Sequence, residues 1–158
     1  MTYVQATTTH PGRDRLIWSF NMLMDVKATA EETGGAVSVM DTRLTPAANP
    51  PLHVHQDADE AFFVLDGEIE FFLADRDPVL AGPGDFVFGP RRVPHRFEVR
   101  TPEARMLVLG TPGGVERFFQ EMGQLADGPT LPVPRPPDIE RVDAIAAAHH
   151  IEILPPPA

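Results

Sequence analysis

Two histidines one residue apart, His53 and His55, are followed by Glu60 and, farther along and just behind a proline, by His95. Imidazoles and a carboxylate are the side chains that hold one divalent metal through nitrogen and oxygen. Side chains of an extended chain repeat every second residue, so His53 and His55 project to the same side of a strand. The spacing His53-x-His55-x4-Glu60 therefore reads as a metal site built on β structure. The chain has no Cys, which excludes thiolate ligands, disulfides and cysteine nucleophiles.

Taken singly, each of these residues fits a blander role: a surface histidine on an edge strand, or one more carboxylate in the acidic loop of Asp57 and Asp59. Taken together they do not. The runs Ala61 to Leu65 and Ile69 to Leu73 are almost wholly apolar, and Glu60 stands at their border. If Glu60 points inward, Phe62 and Val64 share its face, and a carboxylate among such neighbours needs a cation or hydrogen-bond donors. His95 has the same problem, since Phe97 and Val99 occupy its strand face while Arg96 and Glu98 occupy the other. His10, His149 and His150 lie in terminal segments and are assigned solvated or structural roles. Arg91, Arg92 and Arg96 read as a solvated rim able to pair with the acidic loop.

The elements that must position these residues are strands. From Leu16 to Leu109, short apolar or alternating runs are separated by Thr33-Gly34-Gly35, Pro50-Pro51, Asp66-Gly67, Gly82-Pro83-Gly84-Asp85, Gly89-Pro90 and Thr101-Pro102. Nine strands are expected: Leu16 to Phe20, Leu23 to Thr29, Ala36 to Leu44, Leu52 to His55, Glu60 to Leu65, Glu68 to Ala74, Phe86 to Phe88, His95 to Arg100 and Arg105 to Gly110. Asp66-Gly67 is a hairpin signal, because consecutive positive φ angles favour Asp-Gly. Many short strands at this spacing imply an all-β sandwich or barrel. Apolar residues from Val115 to Ala126 recur at helical spacing, which predicts an amphipathic helix on the outside of the barrel. A proline-rich strap follows over Asp127 to Pro137, then a second helix capped by Asp138 with Ile139, Val142, Ile145 and His149 on one stripe. Ile151 to Leu154 is expected to add an edge strand or lie over the core.

The 158 residues, 42% of them hydrophobic, make about one domain: a barrel core over about 14–110 and a helical extension over about 111–158. The net charge of -10 repels phosphate backbones and anionic lipid, so neither nucleic acid nor a membrane surface is an expected partner. The first ten residues are polar and threonine-rich, no apolar run approaches a membrane span, and a cytoplasmic location is expected.

These residues resemble the cupin superfamily, in its single-barrel, quercetin 2,3-dioxygenase-like branch. The first cupin motif, G-x5-H-x-H-x3-4-E-x6-G, is matched by His53, His55, Glu60 and Gly67, with Ala47 in place of its leading Gly. The second, G-x5-P-x-G-x2-H-x3-N, is matched by Gly84, Pro90 and His95, with Arg92 replacing the inner Gly and Val99 the final Asn. The substituted positions shape turns and leave the ligand positions intact. The resemblance implies an all-β jelly-roll barrel with C-terminal helices packed outside it. It also implies one divalent metal (Fe, Mn, Ni, Co, Cu or Zn) held by His53, His55, Glu60 and His95. Two coordination positions would stay open for substrate and for water or dioxygen.

The reaction class expected from the resemblance is a dioxygenase or oxygenase acting on a small oxygenated aromatic or polyketide-like substrate, with Glu60 as ligand and general base. Alternation along the strands places Phe62, Phe71, Phe97 and Val99 beside the ligands as pocket lining. A non-redox isomerase, cyclase or lyase and a non-catalytic metal- and ligand-binding barrel are the competing expectations. The only Tyr, Tyr3, stands far from the barrel motifs, which counts against the tyrosine acid used in some cupin sugar epimerases. Apolar residues on both faces of Ala61 to Leu65 point to a homodimer, unless the C-terminal helices cover the outer face.

Overall fold

The computed structural model describes residues 4–74 and 76–156, so Tyr3 lies outside the described residues. In chain order the strands are β1 (Leu16–Ser19), β2 (Met22–Ala28), β3 (Ser38–Leu44), β4 (His53–His55), β5 (Asp59–Asp66), β6 (Ile69–Leu73), β7 (Val79–Ala81), β8 (Phe86–Gly89), β9 (His95–Val99), β10 (Ala104–Thr111), β11 (Gln124–Leu125) and β12 (Ile151–Ile153). A 3-10 turn, Arg13–Arg15, precedes the first strand, and two helices, α1 (Val115–Met122) and α2 (Ile139–Ala148), follow the barrel strands. The strands form two antiparallel sheets, ordered β11-β1-β2-β3-β10-β5-β8 and β12-β4-β9-β6-β7. This is the all-β jelly roll with C-terminal helices that the sequence implies.

Alternation sets which side chains face the space between the sheets. In β3, Ser38, Met40, Thr42 and Leu44 are buried while Val39, Asp41 and Arg43 are partly exposed. The same period runs through β6, β9 and β10. The inward residues, among them Met24, Met40, Leu44, Val64, Ile69 and Met106, form one apolar core. Burial of that apolar area is the main drive for closing the sheets on each other. The expected Asp66-Gly67 hairpin does not form: the turn is there, but it carries the chain from β5 in one sheet to β6 in the other, and the two strands do not pair. Gly67 has φ 75, and a Cβ there would lie 2.5 Å from the carbonyl oxygen of Glu103.

Two further expectations change. Helix α1 stops at Met122 rather than running to Ala126, because at Gly123 the chain packs against the backbone of β1. A Cβ on Gly123 would stand 2.4 Å from the Trp18 carbonyl oxygen, and the next residues pair with β1 as β11. In α2 the buried positions are Val142 and Ala146, while Ile139 is 61% exposed, so Ile139 does not belong to the buried stripe. Asp138 caps that helix, accepting a hydrogen bond from the Arg141 backbone N–H. The short β7 lies between Pro78 and Gly82 and is too brief to have shown alternation. The segment from Asp127 to Pro137 carries no helix or strand, and its backbone is tied to the barrel by Trp18, Asn21 and Arg43 side chains.

Helix α1 is anchored through a buried carboxylate. Glu116, 1% exposed, accepts from the Ala30 backbone N–H at 2.8 Å and from the Ser38 hydroxyl, and Ser38 Oγ in turn accepts from the Gly114 N–H. Helix α2 packs on α1 and on β12.

A candidate metal centre inside the barrel

The four sequence-predicted ligands come from three strands, β4 and β9 adjacent in one sheet and β5 in the other. β4 carries His53 and His55, β5 opens with Asp59 and Glu60, and β9 opens with His95. His53 and His95 are paired across β4 and β9, which fixes two of the imidazoles at one level. His55, Glu60 and His95 are buried and His53 is half-buried. One donor atom from each residue can be chosen so that all four lie within 4.8 Å of one another.

The hydrogen bonds around the cluster leave the inner nitrogens for a shared partner. Nδ1 of His53 lies 2.9 Å from the Pro51 carbonyl oxygen and Nδ1 of His95 lies 3.1 Å from that of Val93. Each Nδ1–H donates to its carbonyl, which turns Nε2 toward the cluster. Glu60 Oε2 stands 3.0 Å from Nε2 of His55, 3.0 Å from that of His95 and 4.0 Å from that of His53. His55 Nε2 is close to this oxygen yet forms no hydrogen bond with it, and it is buried with no other partner. An imidazole nitrogen buried and unpartnered in such company is a lone pair in want of a cation, so the residues present fit a metal.

Electrostatics agree. Burial, reinforced by the neighbouring His95 and His55, pushes His53 down to about 3, so it stays neutral at ordinary pH. Burial alone would raise Glu60, but His55 and His95 outweigh it and hold the carboxyl well below its usual range. Burial lowers His95, but its hydrogen bond to Glu60 wins and its pKa rises. The cluster thus keeps a full carboxylate facing three imidazoles, an arrangement in which a divalent ion would balance the buried charge.

The cluster opens on a cavity of about 50 Å³. Its polar lining side chains among the described residues are His53, His55 and Glu60; the rest of the wall is apolar, including Met22, Met24, Phe62, Phe97 and Met106. Of the four residues expected to line it, Phe62 and Phe97 do so, while Phe71 and Val99 are buried in the core, Phe71 stacked behind Phe62 and Phe97 with centroids 5.0 and 6.0 Å away. Lining that the strands did not foretell comes from outside the barrel motifs: Phe20 from the β1–β2 turn, Phe118 and Phe119 from α1, and Ile151 and Ile153 from β12. The apolar repeat of α1 was visible in the sequence, but nothing local indicated that its aromatic face would close over the site.

The remaining candidates stand apart. His149 pairs with Glu121 and His150 with Asp57 on the surface, and His10 is exposed. Arg91 pairs with Asp59 of the acidic loop, as expected of a rim, and Arg96 lies over the Phe72 ring. Arg92, in the position of a motif glycine, adopts φ 67, the left-handed conformation that glycine favours, and its N–H donates to the His55 carbonyl. Backbone geometry at this turn survives the substitution.

Residues 40–110 match the Cupin domain family. A quercetin 2,3-dioxygenase of Bacillus subtilis (strain 168) is 32% identical over 77 residues, 49% of this chain and 23% of that protein. The dimethylsulfoniopropionate lyase DddQ of Ruegeria pomeroyi is 47% identical over 59 residues, 37% of this chain and 29% of that protein. The chain thus spans between about a quarter and a third of these curated relatives. Among solved structures, the ectoine synthase of P. lautus superposes with a TM-score of 0.58 at 17% identity, covering 75% of this chain and 83% of that one. No helix among the described residues is long and apolar enough to cross a membrane.

Proposed function

We propose, from the premise that this chain belongs to the cupin superfamily, that it is a metal-dependent oxygenase of a small, oxygenated aromatic compound. The observation that carries this reading is the wall of the cavity: apolar on every side except at the histidine and glutamate cluster. Such a wall grips a ring by dispersion and burial, and leaves recognition of the substrate's oxygen to the cluster. Outside the cluster the described lining residues offer no charged partner for an ionic substrate and few hydrogen-bonding groups for a sugar.

His53, His55, Glu60 and His95 would hold one divalent ion, which when bound lowers the pKa of a coordinated hydroxyl and activates dioxygen. The chain's own residues do the rest. Glu60, with Oε2 between His55 and His95, takes the proton of the substrate hydroxyl. The carbonyls of Pro51 and Val93 hold two of the imidazoles in one tautomer. Phe62 and Phe97 keep water from the reacting ring.

Protein loaded in turn with Fe, Mn, Ni, Co, Cu and Zn and supplied with catechols, hydroxyquinones and flavonols is expected to consume oxygen with at least one metal, and to lose that uptake in Glu60→Gln. Absence of uptake with every metal and every substrate overturns the reading. A lyase is the second reading, favoured by the 47% identity to DddQ over 59 residues. No cationic side chain stands among the described lining residues outside the cluster, so a carboxylated substrate such as the one that protein's name gives would rest on the metal alone, and product formation without oxygen would establish the lyase instead.

A homodimer completes the proposal. On the outer face of β3, β10, β5 and β8, the residues Asp41, Leu107, Phe63 and Phe86 stand in one register row and Val39, Leu109, Ala61 and Phe88 in the next, so the face is apolar apart from Asp41 at its β3 end. Phe86 is 61% and Phe88 48% exposed, so the C-terminal helices do not cover this face. An exposed sheet face of this composition suits a second copy of the chain.

A further inference from the structure

We propose that Phe20 sets the size of ligand this site admits, limiting it to a single ring; the inference rests on the aromatic-substrate reading above. Phe20 and Asn21 form the two-residue turn between β1 and β2, closed by the Ser19–Met22 pair, with φ of 51 and 61. Both central residues of such a turn are left-handed, a conformation glycine and asparagine tolerate and a phenylalanine adopts only against the crowding of its Cβ with the following carbonyl. Asn21 suits its place, and its side chain bonds the Ala47 carbonyl and both backbone groups of Arg135. Phe20 is the misfit, and a misfit held in place marks a position whose side chain has a task.

The task follows from what the ring touches. Its centroid lies 5.6 Å from that of Phe118 and 6.2 Å from that of Phe119, the second contact edge-on at 84°. All three rings line the cavity together with the histidine cluster. Phe118 is buried and fixed on a helix, whereas Phe20 is half-buried at the tip of a hairpin and is the ring that intrudes on the space by choice of turn residue. The cavity of about 50 Å³ is small beside a fused-ring skeleton, and Phe20 is one of the rings that bound it. Removing the Phe20 ring opens the cavity from its half-buried hairpin side, and Gly fits the turn better than Phe does.

The test uses catechol and 3-hydroxyflavone as probes, titrated into the metal-loaded protein and into Phe20→Gly and Phe20→Asn, with metal content and thermal unfolding measured on each. Both variants are expected to fold and to hold metal as the parent does. Each should shift the ratio of the two dissociation constants at least tenfold toward 3-hydroxyflavone. A ratio changed less than twofold in both variants, or no gain of 3-hydroxyflavone binding in either, overturns the inference. Oxygen uptake is read separately: a shifted ratio without turnover refutes the oxygenase and leaves the size filter standing.

Discussion

At the scale of single residues, the site is a charge arrangement awaiting a partner. Replacing Glu60 by Gln keeps the volume and removes the carboxylate that sits 3.0 Å from two imidazoles. Metal affinity, read by calorimetric titration, should fall by at least the ~100-fold that loss of outer-shell partners reaches, since a ligand itself is lost. The linkage of these groups to folding can be signed. His53, with its pKa pushed down to about 3 from an ordinary 6.5, binds fewer protons folded than unfolded between those values, and Glu60 acts in the same sense below the ordinary carboxylate range. Each contributes stability that is present at higher pH and lost as pH falls. His95, raised, contributes in the opposite sense, with stability present below its unfolded pKa and lost as pH rises through the folded one. Metal-free protein, followed by urea unfolding, is therefore expected to lose stability as pH falls from 6.5 toward 3, and His53→Ala to flatten that slope. Arg92 offers a simpler test. Its φ of 67 suits glycine, so Arg92→Gly should gain about 1 kcal/mol in the same unfolding experiment.

At the scale of elements, the carboxylate of Glu116 ties α1 to the barrel. Glu116→Ala leaves the Ala30 N–H and the Ser38 hydroxyl buried without their acceptor, a loss of about 2 to 4 kcal/mol by chemical denaturation. It should also loosen Phe118, and with it the cavity roof. Here the sequence was readable in uneven measure. Alternation and turn residues carried the barrel strands, since a two-residue period and an Asp-Gly pair are local signals. The His-x-His spacing and the inward parity of Glu60 and His95 carried the cluster for the same reason. The reach of α1 was misjudged because Leu125 and Ala126 continue a helical repeat, and only contact with Trp18 ends the helix at Gly123. Phe20, Phe118, Phe119, Ile151 and Ile153 were not legible as lining because they come together from three separate stretches of the chain, and no short-range pattern encodes that meeting.

At the scale of the whole molecule, polar and apolar surface are divided within one sheet face. Asp41 pairs with Arg105, and Arg43 with Glu103, across strands β3 and β10, while the neighbouring rows of β10, β5 and β8 are apolar. Light scattering behind size exclusion should find a dimer, and Phe86→Asp combined with Phe88→Asp a monomer that still binds metal; a monomeric parent would contradict the proposed homodimer. The ladder that joins β12 to β4, with Ile151 opposite His55 and Ile153 opposite His53, reaches further than the packing it provides. The strand bearing two of the candidate ligands gains a neighbour along its full length only from residues near the far end of the described chain. During synthesis, then, those two histidines would emerge about a hundred residues before the segment that steadies them, and this centre could not be finished until that segment followed.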